Sequence, residues 1–152
     1  RGLGDVYKRQ VPYEPGEVKV VAYDASGKPA EEKVIRTAGK PHHLELVADR
    51  TRLSADGKDL AYITVRVVDK DGNLCPADSR MVNFSVKGAG KYRAAANGDA
   101  TSLDLFHLPK MPAFSGQLTA IVQSGEQAGE IVFEARAKGL KSGKLVLYTS
   151  EK

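Results

Sequence analysis

The side chains of this sequence best suited to chemistry are His42, His43 and His107, a single cysteine at Cys75, the acidic run Asp69-Lys70-Asp71-Gly72-Asn73, and the glutamates Glu126, Glu130 and Glu134. A bound metal needs several lone pairs converging on one point. Neighbouring residues on a strand face opposite ways, so His42 and His43 are expected not to share an ion, and His107 lies in a separate, irregular stretch. Asp69 and Asp71 open like a calcium loop, but that loop needs glycine at its sixth position and glutamate at its twelfth. Here Gly72 is fourth and Arg80 is twelfth, so the carboxylates read as turn formers. Hydrolysis of a sugar bond takes two carboxylates flanking it. Glu130 and Glu134 instead fall on the polar side of an alternating run beside lysine and arginine, the ordinary solvated arrangement.

Nucleophile and phosphate signatures are equally incomplete. The run Gly139-Leu140-Lys141-Ser142-Gly143-Lys144 has its first glycine misplaced for a P-loop, and Leu145 stands where a hydroxyl is required. Ser115 and Ser142 lack the nucleophile-elbow pattern, and Cys75, followed by Pro76, has no histidine near it in sequence. It reads as a small, partly buried residue. Sugar-stacking surfaces usually present flat aromatic rings. The chain has no tryptophan, and its tyrosines and phenylalanines are scattered. Phe84 and Phe133 belong to apolar faces; Tyr92 with Phe106 is the pair that could form a platform on a long loop. The expectation is therefore no catalytic residue, no cofactor and no metal site.

The elements that would have to position these groups are strands. Val18, Val20 and Ala22 alternate with other residues, as do Leu44, Leu46 and Ala48, and Ile63, Val65 and Val67; later come Val82-x-Phe84-x-Val86, Leu118-x-Ala120-x-Val122, Ile131-x-Phe133-x-Ala135 and Leu145-x-Leu147. Residues 24–28 supply a turn from which 33–37 can return as a partner strand. Residues 49–59 read as a polar connection. Between Gly88 and Gly116 the alternation weakens, and a long irregular connection with at most one short strand is expected. A helix competes over 127–139, but Ile131-Val132-Phe133 favours a strand. Many short strands without intervening helices predict an all-β sandwich.

Hydrophobic residues make up 41% of the 152 and charged residues 28%, enough apolar matter for a packed core. No apolar run approaches the roughly 20 residues of a membrane helix, so membrane insertion is not expected. One thiol cannot form an internal disulfide and does not identify a redox compartment. Residues 1–10, RGLGDVYKRQ, read as the in-frame translation of a transposase sequencing adaptor, which would leave the natural N-terminus missing together with any signal peptide. Without them the formal charge of +4 falls to about +2, too little to suggest a nucleic-acid partner. The Gly39-Lys40-Pro41 junction marks a boundary. The expected organisation is thus an artefact over 1–10, a terminal hairpin over 11–39 and a complete sandwich over 40–152.

Two stretches carry a resemblance. Val11-Pro12-Tyr13-Glu14-Pro15-Gly16, running on to Ala22-Tyr23 and closed by Arg36-Thr37-Ala38-Gly39-Lys40-Pro41, resembles the last hairpin of the immunoglobulin-like domain that follows the barrel in bacterial glycoside hydrolase family 2 β-galactosidases. Leu46-Val47-Ala48-Asp49-Arg50, Leu53-Ser54-Ala55-Asp56-Gly57-Lys58-Asp59-Leu60 and Ile63-Thr64-Val65-Arg66-Val67-Val68-Asp69 resemble the start of the C-terminal domain of the same enzymes, itself similar to invasin-type immunoglobulin-like repeats. Asn97-Gly98-Asp99, Ala113-Phe114-Ser115-Gly116 and Ala137-Lys138-Gly139-Leu140 continue the match. The resemblance implies an immunoglobulin-like sandwich preceded by a hairpin remnant, in an exported parent, periplasmic or extracellular. That parent would be a retaining glycoside hydrolase whose two glutamates lie in a barrel of about 250 residues, none of it present here. The implied role is accessory and non-catalytic. The implied partners are the barrel and neighbouring immunoglobulin-like domains of the parent, with carbohydrate a further ligand to test. A repeat of a surface adhesin and a carbohydrate-binding module are the alternatives, since such folds serve many functions.

Overall fold

The computed structural model describes residues 12–151, so the segment read as adaptor-derived lies outside the described residues. The chain divides into two compact units, one ending at Thr37 and one beginning at Ala38. The first is a hairpin of β1 (Glu17–Tyr23) and β2 (Pro29–Arg36), paired antiparallel with Val18 opposite Ile35 and Val20 opposite Lys33. Its turn is held by one carboxylate oxygen: Asp24 Oδ1 accepts from the amides of Ser26 at 2.8 Å and Lys28 at 2.9 Å. Gly27 supplies the positive φ of 80° that closes the turn. Val18, Val20 and Ile35 are exposed.

The second unit holds nine strands: β3 (His43–Ala48), β4 (Arg52–Ser54), β5 (Leu60–Val68), β6 (Met81–Gly88), β7 (Gly90–Ala96), β8 (Lys110–Pro112), β9 (Gln117–Ser124), β10 (Gly129–Ala137) and β11 (Gly143–Ser150). They form a five-stranded sheet in the order β4-β11-β10-β6-β8 and a four-stranded sheet in the order β3-β5-β9-β7. Every pairing is antiparallel except β4 with β11. This is an immunoglobulin-like β-sandwich, and no described residue is helical.

The alternation read from the sequence settles which side chains face inward. Ile63, Val65 and Val67 on β5 meet Leu118, Ala120 and Val122 on β9, and across the interior stand Val82, Phe84, Ile131, Phe133 and Leu147, all buried. Phe84 is the aromatic hub, stacked on Phe133 and on Tyr92 with ring centroids 5.8 Å apart in both pairs.

Three strands depart from the sequence reading. β4 lies in the stretch expected to be a polar connection; three residues offer a single inward side chain, Leu53, which is too short a pattern to read as periodic. β7 and β8 occupy the stretch expected to be irregular. β7 is seven residues long but carries three alanines, and a register shift between Tyr92 and Ala94 breaks its alternation. β8 is a three-residue edge strand that buries Met111 against β6.

The chain crosses from one sheet to the other through Ala89 alone. That is feasible only because Gly88 adopts φ 93° and lies against the Glu130 carbonyl, where a Cβ would collide. We expect Gly88→Ala to cost about 2 kcal/mol or more and Phe133→Ala about 3–5 kcal/mol, read from urea unfolding of the purified chain. Unchanged midpoints for both would contradict this packing.

Candidate functional site

The candidate side chains do not gather into one cluster, and several aspartates are taken up by turns. Asp69 is the clearest case. The residue is 3% exposed and sits just after β5. One carboxylate oxygen accepts from the amides of Asp71 (2.9 Å) and Asn73 (2.8 Å), the other from the Gly39 amide (2.7 Å) and Asn73 Nδ2 (3.0 Å). The Gly39 amide bond, followed by the Asn73 side chain, holds the Asp69 carboxyl down at about 2 despite burial. Both oxygens are engaged by N–H donors, so this turn is a clamp between the strand end and the segment leading into β3 rather than half of a calcium loop. Asp56 repeats the device, accepting from the amides of Lys58 (2.9 Å) and Asp59 (2.8 Å), as does Asp99 with Thr101 (2.9 Å).

A second clamp was not legible beforehand. Arg80 grips both oxygens of Asp78, with Nε at 2.9 Å from each and Nη2 at 2.6 Å from Oδ2. Nη1 donates to the Lys138 carbonyl at 2.8 Å, tying the segment before β6 to the β10–β11 turn. Burial works against the Asp78 charge, but the Arg80 bonds outweigh it and the carboxyl stays below its ordinary value. The only sequence signal was the Asp-x-Arg spacing, which suits many local pairs.

The histidines need a correction. His42 and His43 do approach each other, with Nδ1 atoms 3.0 Å apart, because His42 precedes β3 and is not held to strand alternation. One ring nitrogen donates and the other accepts. His107 belongs to the loop tied to β7, at the opposite edge of that sheet from β3. Among the described residues, no group of three or more histidine, cysteine, aspartate or glutamate side chains is placed to hold a metal ion.

Glu130 and Glu134 point outward from β10, about 13 Å apart at strand rise, too far for a carboxylate pair acting on one sugar bond. Glu134 is paired with Arg136 through two contacts of 2.9 Å. Glu126 lies in the β9–β10 connection. The Gly139–Lys144 run spans the β10–β11 turn and the first two residues of β11; its Leu140 and Lys141 amides already donate to the carbonyls of Ala137 and His42, leaving no phosphate cradle. Cys75 is buried, and burial, with Asp69 and Asp78 nearby, pushes its thiol up, away from the reactive thiolate. Ser115 sits in the turn before β9 with φ 51°.

The aromatic platform does not form. The Tyr92 ring is stacked on Phe84, and its hydroxyl donates to the Leu108 carbonyl at 2.6 Å with the Phe106 carbonyl at 3.1 Å. Burial pushes this phenol up to about 12. Tyr92 therefore anchors the long loop, while Phe106 stays exposed. At one end of the sandwich, Gly57, Ala89, Lys91, Gly125, Glu126 and Gln127 surround an open depression of about 460 Å³. Its walls are largely backbone and polar chains, without the apolar lining usual in small-molecule sites.

The molecule so far defines a class: an immunoglobulin-like all-β module whose polar side chains serve its turns. The comparisons narrow this. The model of the glycoside hydrolase family 2 C-terminal domain 5 matches residues 44–146, and the chain belongs to that family. It is 42% identical over 93% of its length to the β-galactosidase BoGH2A of Bacteroides ovatus, and 30% identical over 95% of its length to a β-glucuronidase of Formosa agariphila. It spans only 17% and 15% of those two proteins. Among solved structures, a glycosyl hydrolase family 2 member from Bacteroides cellulosilyticus superposes with a TM-score of 0.85 at 30% identity, covering 93% of this chain and 18% of that one.

The Asp69 clamp makes stability depend on pH with a definite sign. The folded carboxyl lies near 2 and the ordinary value is 3.8, so its contribution is complete above 3.8 and is lost as pH falls toward about 2. Asp69→Asn is expected to melt below the parent sequence at neutral pH, with the gap closing across that window. A gap independent of pH would show that the charge is not what holds the turn.

Proposed function

We propose that this chain is the accessory, non-catalytic C-terminal part of a glycoside hydrolase family 2 enzyme, with hydrolysis carried out by an upstream barrel. Membership in the C-terminal domain family supports the parentage. The observation that supports the non-catalytic reading is the placement of the carboxylates: Asp69 is a turn acceptor, Asp78 and Glu134 are held by arginines, and Glu130 lies about 13 Å along β10 from Glu134, beyond the separation of a glycosidase pair. Relatives named for a galactosidase and for a glucuronidase both match this module, which supports a role for it other than sugar choice.

In this reading β1 and β2 are the last hairpin of a preceding immunoglobulin-like domain. Two strands alone bury little, and Val18, Val20 and Ile35 remain in water. Upstream strands of the parent would cover them. The parent is an exported protein, acting in the periplasm or outside the cell.

Two measurements test this. The purified chain should release no chromophore from nitrophenyl β-galactoside or β-glucuronide above the buffer rate; turnover that survives repurification would end the non-catalytic reading. Hydrogen exchange should find the amides of β1 and β2 nearly unprotected while those of β5, β9 and β10 exchange only on global unfolding. Equal protection of hairpin and sandwich would mean that the hairpin needs no upstream strands.

A further inference from the structure

The loop between β7 and β8, residues 97–109, has an unusual balance of order and exposure. Connections of this length without secondary structure are usually either functional or disordered. This one is held throughout. Asn97 Oδ1 accepts from the Asp99 amide and Asn97 Nδ2 donates to the Pro112 carbonyl, at 3.0 and 3.1 Å. Asp99 caps Thr101, and Ser102 donates to Asp104 at 2.8 Å. The far end is fixed by Tyr92, and by the Ala95 and Phe84 amides donating to the carbonyls of Phe106 and Pro109.

All this fixing leaves the apolar side chains of the tip outside. Leu103 is 95% exposed, and Leu105 and Phe106 are each 57% exposed. Three large apolar groups within four residues, held out by a preorganised loop, form a knob that gains by entering a recess.

The chemistry of the knob selects its occupant. The ionisable groups of the loop are Asp99, Asp104 and His107, so nothing in it draws an anionic membrane. Phe106 offers one flat face to a pyranose ring, but Leu103 and Leu105 offer none, and the Tyr92 ring that would complete a platform is committed to the core. A second copy is also a poor match. Three side chains bury on the order of a few hundred Å², below the roughly 800 Å² per partner of a stable association. A partner on the same polypeptide needs no such area, because tethering raises its effective concentration to about millimolar. The Bacteroides ovatus β-galactosidase and the Bacteroides cellulosilyticus family 2 structure each carry more than four-fifths of their length outside the part this chain matches.

We propose that the 97–109 loop is a docking knob by which this module seats against the upstream catalytic portion of its own parent polypeptide, with Leu103, Leu105 and Phe106 entering an apolar recess there. The proposal rests on the parentage argued above.

Cys75 is buried and is the only cysteine, so Leu103→Cys introduces a single reactive thiol. In the 152-residue chain, a maleimide should label it at the rate of a free thiol. In the full-length parent carrying the same substitution, labelling should slow at least ten-fold. The double substitution Leu103→Asp with Leu105→Asp should leave the Tm of the short chain unmoved and lower that of the parent. Equally fast labelling in both proteins overturns the proposal. So does slowing in the short chain that grows with its concentration, which indicates a second copy, or slowing by added galacto-oligosaccharide, which indicates a sugar ligand. Sequencing the parent separates the two levels: no barrel upstream sinks the parentage and the docking together, whereas a barrel with fast labelling sinks the docking alone.

Discussion

The structure of the sandwich turns on a single constraint: the space between its sheets accepts almost no polarity. Asp69, Ser124 and Thr149 are the buried polar residues among those described, each within a residue of a strand end; Asp69 and Thr149 are hydrogen-bonded there, and the Ser124 hydroxyl alone lacks a partner. An unpaired polar group there would cost several kcal/mol, more if charged. Carboxylates are therefore pushed to the outer faces or to the strand ends, where backbone amides left over at turns need acceptors. Asp24, Asp56, Asp69 and Asp99 all take that second role.

Catalysis on a sugar bond has the opposite requirement. It needs two carboxylates free of strong partners, facing one another at a fixed separation with room for substrate between. In this sandwich Asp69, Asp78 and Glu134 are already engaged by N–H donors, and the interior is closed by Phe84, Phe133 and Met111. The same features suit a rigid module whose ends and loops meet other parts of a chain. The Asp69 and Asp78–Arg80 clamps make those ends stiff, and stiffness at an end lets a loop hold its shape without a partner.

Much of the candidate site was legible in the sequence because it was a matter of local turn chemistry. Asp69-x-x-Gly72 and Asp24-x-x-Gly27 read as turns for the same reason they fold as turns: an aspartate followed by a residue that tolerates positive φ. The failures have a common cause as well. The approach of His42 to His43 depends on where β3 begins, and the role of Tyr92 depends on which strand passes beneath it. Neither fact is encoded within a few residues of the group concerned.

The sequence by itself determined that the chain is all-β, which side chains of β3, β5, β6, β9, β10 and β11 face inward, and that no familiar reactive motif is complete. Alternation with a period of two is a local property, and burial follows it directly. Only the tertiary structure decided that β4, β7 and β8 exist, that Arg80 reaches the Lys138 carbonyl, and that the 97–109 loop stands ordered with its leucines in water. Those features arise where a segment too short or too irregular to declare itself is recruited by a neighbour distant in sequence. Their stabilisation comes from the neighbour, and the local residues carry little trace of it.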